Sequence, residues 1–273
     1  MNGELAQLVC LASYGTAWLA STGTADPPDL QQQNSTFRFV GTLEFVDPGT
    51  GRTLTTVRDW LLELRNRGTR RLWLDIADPK PRPAAWGPVD EHLMVAFVNT
   101  GAWTLLAASD TDATVWRRTW VPGHPDAPDR RVWGVRYDAQ SAAAGIPTPT
   151  SVEQASRALT EVMTRARVFS AREDMDRWVK HFDGVLAGDD RYLEFPDMLS
   201  PAYPSAAQLL ARSANGAWVF GGMGSWNDEG FADEQVNATY QDISRALYLA
   251  VLQALVACVD CPLAGPVAEA SLD

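Results

Sequence analysis

Between Ala217 and Phe231 the chain reads AWVFGGMGSWNDEGF, an apolar run broken by Gly221, Gly222 and Gly224 and followed by Ser225, Trp226, Asn227, Asp228 and Glu229. Glycine admits backbone angles that other residues avoid, and it lets a ligand or another segment approach the main chain. The pattern predicts a strand, a glycine-rich loop and a helix. Two uses of the loop follow. In one it is a sharp turn that packs Trp226 over backbone. In the other, Gly221 to Asp228 line a pocket where Trp226 offers an aromatic face and Ser225, Asn227 and Asp228 hold a polar or cationic ligand. The second use predicts that Trp226→Ala harms binding more than folding. A phosphate cradle is disfavoured: the glycines fit neither nucleotide-binding spacing, no lysine is near, and Asp228, Glu229 and Asp233 place negative charge where an anion would sit.

The remaining reactive residues make weaker patterns. Cys258 and Cys261 have the C-x-x-C spacing of redox and metal chemistry, but they fall at the end of a predicted helix beside Asp260. There the helix dipole and the carboxylate both oppose a thiolate. A structural zinc site needs two more ligands, with only Cys10 and three scattered histidines to supply them. Ser225 with His181 and an acid would make a hydrolase triad, yet G-x-S-x-G is absent. The adjacent acids Asp189-Asp190 and Asp228-Glu229 read as solvated loop charges rather than as an acid and base pair. No catalytic residue, metal ligand or cofactor is assigned.

The elements around these residues follow from periodicity. Apolar residues recur at helical spacing from Glu4 to Leu19, and Thr36 to Val46 alternates as a half-buried strand, with Phe37, Phe39, Gly41, Leu43 and Phe45 on one face. Asp47-Pro-Gly-Thr-Gly51 is turn chemistry leading to a second hairpin arm at 52–57. A short helix is predicted over 59–67, closed by Gly68. Further strands are predicted at 70–76, 92–99, 102–108, 113–120 and 132–137, with a tight hairpin at Asn99-Thr-Gly101. Consecutive strands without helices between them imply a mostly antiparallel sheet. Residues 141–150 read as a linker. Beyond them, helices are predicted at 152–167 and 171–187, with capping-box spacing at Ser151/Gln154 and Ser170/Glu173, then at 205–213 and 233–259. The stretch 246–259 contains one strongly polar side chain, Gln253, so that helix must be buried on most sides, either in this chain's core or partly against a second copy. The fold class is α+β: six or seven mostly antiparallel strands in residues 36–138, packed by the first helix and a C-terminal helical region as one compact domain.

Composition bounds the function. A chain of 273 residues, 46% hydrophobic and 21% charged, is long enough to bury a core without staples. Its net charge of −11, with no basic run, argues against nucleic acid and anionic membrane as partners. Arginine supplies all of the 23 basic residues except Lys80 and Lys180, a bias of GC-rich coding that suggests a bacterial source. Three cysteines, an odd number, suit the cytoplasm. Eleven tryptophans, eight of them from Trp18 to Trp133, and the alternation Trp116, Arg118, Trp120 place aromatics and a cation on one strand face. Abundant Trp and Arg with few chemical groups point to a non-catalytic protein-protein interaction or accessory protein. An enzyme or small-molecule binder with its site at Gly221–Asp228 is the alternative.

Overall fold

The structure is a computed structural model that describes residues 1–21, 25–76, 89–109, 113–142 and 151–264. The first helix, α1 (Gly3–Ala20), starts where the Asn2 side chain accepts the backbone N–H groups of Glu4 and Leu5, satisfying donors that a helix start leaves free. Leu5 to Ala12 are buried on every side, as a helix without a polar face requires. Strands β1 (Val40–Asp47) and β2 (Arg52–Leu54) form the expected hairpin. Helix α3 (Val57–Asn66) follows a four-residue helix α2 (Leu30–Gln33) in the numbering and is capped by Thr56. Strand β3 (Arg71–Ile76), a short helix α4 (Glu91–Met94), and strands β4 (Trp103–Ala108), β5 (Ala113–Pro122) and β6 (Trp133–Ser141) complete the first half.

The sheet has six strands in the order β2-β1-β6-β5-β4-β3. Four of its five pairings are antiparallel, but β1 and β6 run parallel. The parallel pair follows from connectivity. β2 is only three residues long and ends at one sheet edge; α3 carries the chain beneath the sheet to the opposite edge, and the strands then return until β6 meets β1. The inner face is aromatic: Phe45 stacks on Trp60 of α3 at 4.4 Å and on Tyr137 at 5.1 Å, while Trp116 meets Phe45 and Trp60 edge-on. Trp116, Arg118 and Trp120 do share one face, and that face is core.

Helix α1 lies against β3 and β4. At the edge strand, the Thr16 hydroxyl donates to Leu72 O and accepts from Leu72 N, both at 3.0 Å, so it pairs backbone groups that an edge otherwise leaves open. Gly15 permits the approach, since a Cβ there would stand 2.4 Å from Leu72 Cδ1.

Two local expectations in this half fail. Residues 92–99 are not a strand: His92 lies in α4, and Asn99 has a left-handed backbone (φ +65°). Its side-chain amide pairs with both backbone groups of Trp120, donating at 2.8 Å and accepting at 2.7 Å. A single side chain thus replaces the strand neighbour that a hairpin at 99–101 would have provided.

The second half is helical: α5 (Val152–Arg172), α6 (Asp176–Leu186), α7 (Ser205–Ala217) and α8 (Glu234–Asp260). Ser151 caps α5 as expected, accepting from Gln154 N. Ser170 does not start a helix. It lies inside α5 with its hydroxyl donating to Ala166 O at 2.8 Å, and the break comes at Asp174, where φ is +55°. Likewise α7 runs on through Ala217, and Trp218–Phe220 has no regular secondary structure and does not join the sheet. The apolar helix α8 packs on β3, α1, α4, α5 and α7. By composition it would span a membrane, but 67% of its most apolar window is buried within this chain. A single apolar cluster joins Leu5 of α1, Phe45 of the sheet, Leu159 of α5 and Val259 of α8. The expected linker at 141–150 lies largely outside the described residues.

Candidate functional site

The glycine-rich segment leaves α7, makes a tight loop and passes through one 3-10 turn, Trp226–Asp228, before α8. The loop is closed by Trp226 N–H donating to Val219 O at 3.0 Å and by Ser225 N–H donating to Gly222 O at 3.1 Å. Only Gly224 has a positive φ, +83°, so only there does the turn itself demand glycine. A Cβ at Gly222 would meet nothing within 4 Å.

Each group with chemical potential is engaged by the fold. Ser225 Oγ donates to Gly221 O at 3.1 Å and accepts from Asn227 N. The Asp228 carboxylate accepts from Gly224 N–H. Asn227 Nδ2 donates to His92 O at 2.8 Å, tying the loop to α4, and its Oδ1 alone meets no protein donor. Trp226 has no exposed surface. Its ring sits edge-on to Trp178 and Phe182 of α6, is tilted on Tyr240 of α8, and donates through Nε1 to Ser244 Oγ at 2.7 Å. Of the two sequence-based uses, the packed turn describes Trp226. At the tip, Met223 is fully exposed. A cleft of about 510 Å³ next to the loop reaches Gly221 and is walled by Trp178, His181, Trp218 and Glu194.

The structure does not join Ser225 to a base. His181 Nε2 is shared with Gly216 O at 2.9 Å, and burial lowers its pKa, so the neutral ring donating to that carbonyl is favoured. Asp183 pairs instead with Arg167. The adjacent acids also part: Asp189 binds Arg191, Asp190 binds Arg212, and Glu229 binds Arg177 and Trp178 Nε1. Among the described residues no cluster of three or more His, Cys, Asp or Glu side chains is arranged to hold a metal ion. The thiols of Cys258 and Cys261 rest on the carbonyls of Ala207 and Cys258, and burial pushes both pKa values up.

Sequence reasoning treated Asp260 only as a neighbour of the cysteines. It is 2% exposed, neither carboxyl oxygen meets a donor among the described residues, and desolvation raises its pKa to about 7 despite the opposing pull of Arg71. The signal was an acid ending an otherwise apolar helix. Because the folded pKa lies above the ordinary 3.8, the folded state binds the extra proton between these values. Stability from this group is present at about pH 4, falls as pH rises toward about 7, and stays low above that. Asp260→Leu, which keeps the shape without the charge, is expected to raise stability by on the order of 2–4 kcal/mol at about pH 8. The gain should shrink toward about pH 4, where the wild-type carboxyl is protonated. Urea unfolding across that range checks this, and a gain independent of pH would reject the assignment. No protein family, curated protein or solved structure matches this chain.

Proposed function

We propose that this is a non-catalytic interaction or accessory protein of the bacterial cytoplasm that presents the turn Gly221–Ser225 to a protein partner. The observation that carries the reading is the division within the loop: Ser225 and Asp228 are bonded to the loop's own backbone, Trp226 is locked in the core, and Met223 stands fully exposed above them. An anchored turn with a flexible, polarizable tip suits contact with another protein, whereas a reaction at Gly221–Asp228 would need groups that are free to act. The tryptophans of the first half support binding less than their number suggested, because Trp60, Trp103 and Trp116 are spent on the core. Self-association through α8 is the narrower proposal, since beyond Thr239 only the stripe Asp242, Arg245, Leu249 and Gln253 is exposed.

A photo-reactive amino acid at position 223 is expected to capture one discrete protein in the source cells, and the same group at exposed Val168 to capture none. Titrating that partner, Met223→Asp should weaken binding at least about tenfold, near 1.4 kcal/mol, with no change in melting temperature, since the side chain has no contacts to lose. Equal binding by wild type and Met223→Asp would reject the turn as the contact.

A further inference from the structure

Oxidisable sulfur is scarce on this surface. Of the six methionines, Met94, Met163 and Met198 are buried, Met1 and Met175 are half-buried, and Met223 is fully exposed. Among the three cysteines, Cys10 and Cys258 have no exposed surface and Cys261 is half-buried. Burial raises the pKa of all three thiols, so the thiolate that would react with a peroxide scarcely forms. Other exposed apolar side chains, such as Phe97, Val121, Val168 and Leu249, contain no sulfur.

The turn gives the Met223 thioether access while keeping it apart from the fold's own bonds. Gly222 and Gly224 flank it, and a Cβ at either would meet nothing within 4 Å, so the main chain on both sides of Met223 is uncrowded. Beneath the tip the turn is held without help from that side chain. Ser225 N–H donates to Gly222 O at 3.1 Å, Trp226 N–H donates to Val219 O at 3.0 Å, and Gly224 N–H donates to the Asp228 carboxylate. An oxygen added to the Met223 sulfur breaks none of these bonds. It converts the apolar tip of the turn into a polar, chiral sulfoxide.

We infer that Met223 is a site of reversible oxidation by hydroperoxides, modified ahead of every other sulfur in the chain, and that its sulfoxide switches off the contact surface without unfolding the protein. In the forward step the thioether sulfur attacks one oxygen of hydrogen peroxide. The O–O bond breaks and an S–O bond forms, the attacked oxygen passes its proton to the leaving oxygen, and that oxygen departs as water. Sulfur loses two electrons and the peroxide gains them. In the return step, catalysed by methionine sulfoxide reductases, two thiols supply two electrons and two protons; the S–O bond breaks, the oxygen leaves as water and the thiols become a disulfide. Selectivity at Met223 rests on exposure, whereas the switch rests on the proposed role of the turn as the partner contact.

The test treats the full chain with hydrogen peroxide and follows every methionine and cysteine by peptide mass. Met223 should gain one oxygen at least about tenfold faster than Met94, Met163 or Met198, and before Met1, Met175 or any cysteine. The two epimer-specific methionine sulfoxide reductases with dithiothreitol should remove it. The singly oxidised chain should melt at the wild-type temperature. Against the protein captured at position 223 it should bind at least about fivefold more weakly. Met223→Leu, which keeps an apolar tip without sulfur, should bind as wild type does and be indifferent to peroxide. Equal oxidation of Met223 and the buried methionines, or a sulfoxide that neither reductase removes, would overturn the site. Peroxide that weakens binding by the Met223→Leu chain as much as by wild type would overturn the switch, because the effect would then lie elsewhere. Unchanged binding by the oxidised chain would also overturn it: if Met223→Asp still fails to bind, the turn remains the contact, and if Met223→Asp binds as well, the turn reading has failed too. Capture of no protein at position 223 would overturn the turn reading and the switch with it, while the oxidation rates alone decide the site.

Discussion

Arg118→Met is expected to cost about 3–5 kcal/mol of stability, although the new side chain is apolar and sits in an apolar layer. Arg118 projects from β5 into the core between Trp116 and Trp120, with its side chain 4% exposed. Every arm of the guanidinium is used. Nε donates to Glu4 Oε2 at 2.8 Å, Nη1 to Trp103 O, and Nη2 to Gly101 O at 3.0 Å. The other Glu4 oxygen accepts from Asn99 N–H at 2.8 Å. Methionine would leave the Glu4 carboxylate buried with one donor and would strip two carbonyls of their partner. The loss is therefore mostly the cost of an orphaned charge rather than the worth of the ion pair. It follows that adding Glu4→Leu to Arg118→Met should recover part of the deficit, a positive coupling that a double-mutant cycle in urea would measure. A loss under about 1 kcal/mol for Arg118→Met alone would mean that the pair is solvated, and the argument would fail.

This network also marks where sequence reasoning stops. The alternation of Trp116, Arg118 and Trp120 disclosed one strand face, but a cation on a core-facing stripe has meaning only once its acid is known. That acid, Glu4, lies on a helix 114 residues earlier, and no local pattern encodes its meeting with Arg118. The same limit explains Asn99. Asn-Thr-Gly is good hairpin chemistry, and a left-handed Asn was foreseeable, yet its side chain serves β5 as a substitute strand. What local physics does determine was legible: Ser151 at the start of α5, the hairpin at Gly51, and the burial of α8 from its apolar circumference. The parallel β1–β6 pair was not, because it depends on α3 crossing beneath the whole sheet. For the candidate sites, glycine spacing found the loop and its packed tryptophan. The burial of Asp260 near Arg71 escaped because the two come from distant parts of the chain and are brought together by the fold alone.

Trp226→Ala is expected to destabilise the protein by about 3–5 kcal/mol, on the order of a 10 °C fall in melting temperature for a chain of this size. That reverses the order a pocket tryptophan would show, in which binding suffers more than folding. Trp226 joins two helices through one ring: α6 contributes Trp178 and Phe182, and α8 contributes Tyr240 and Ser244. The anchor is reinforced from outside the ring, since the Tyr240 hydroxyl donates to Trp226 O and Trp178 Nε1 is held by Glu229. Alanine removes the aromatic contacts, worth about 0.5–1.5 kcal/mol per ring pair beyond their area, and leaves a cavity that the three surrounding aromatic side chains cannot easily close. Phenylalanine keeps most of the volume and should cost less, about 1–2 kcal/mol, chiefly through the lost bond to Ser244. The two substitutions separate anchoring from contact. If Trp226 acts on a partner only by holding the turn, Trp226→Phe should bind nearly as wild type while Met223→Asp does not. Strong loss of binding by fully folded Trp226→Phe would instead make the ring itself a contact, which its complete burial argues against.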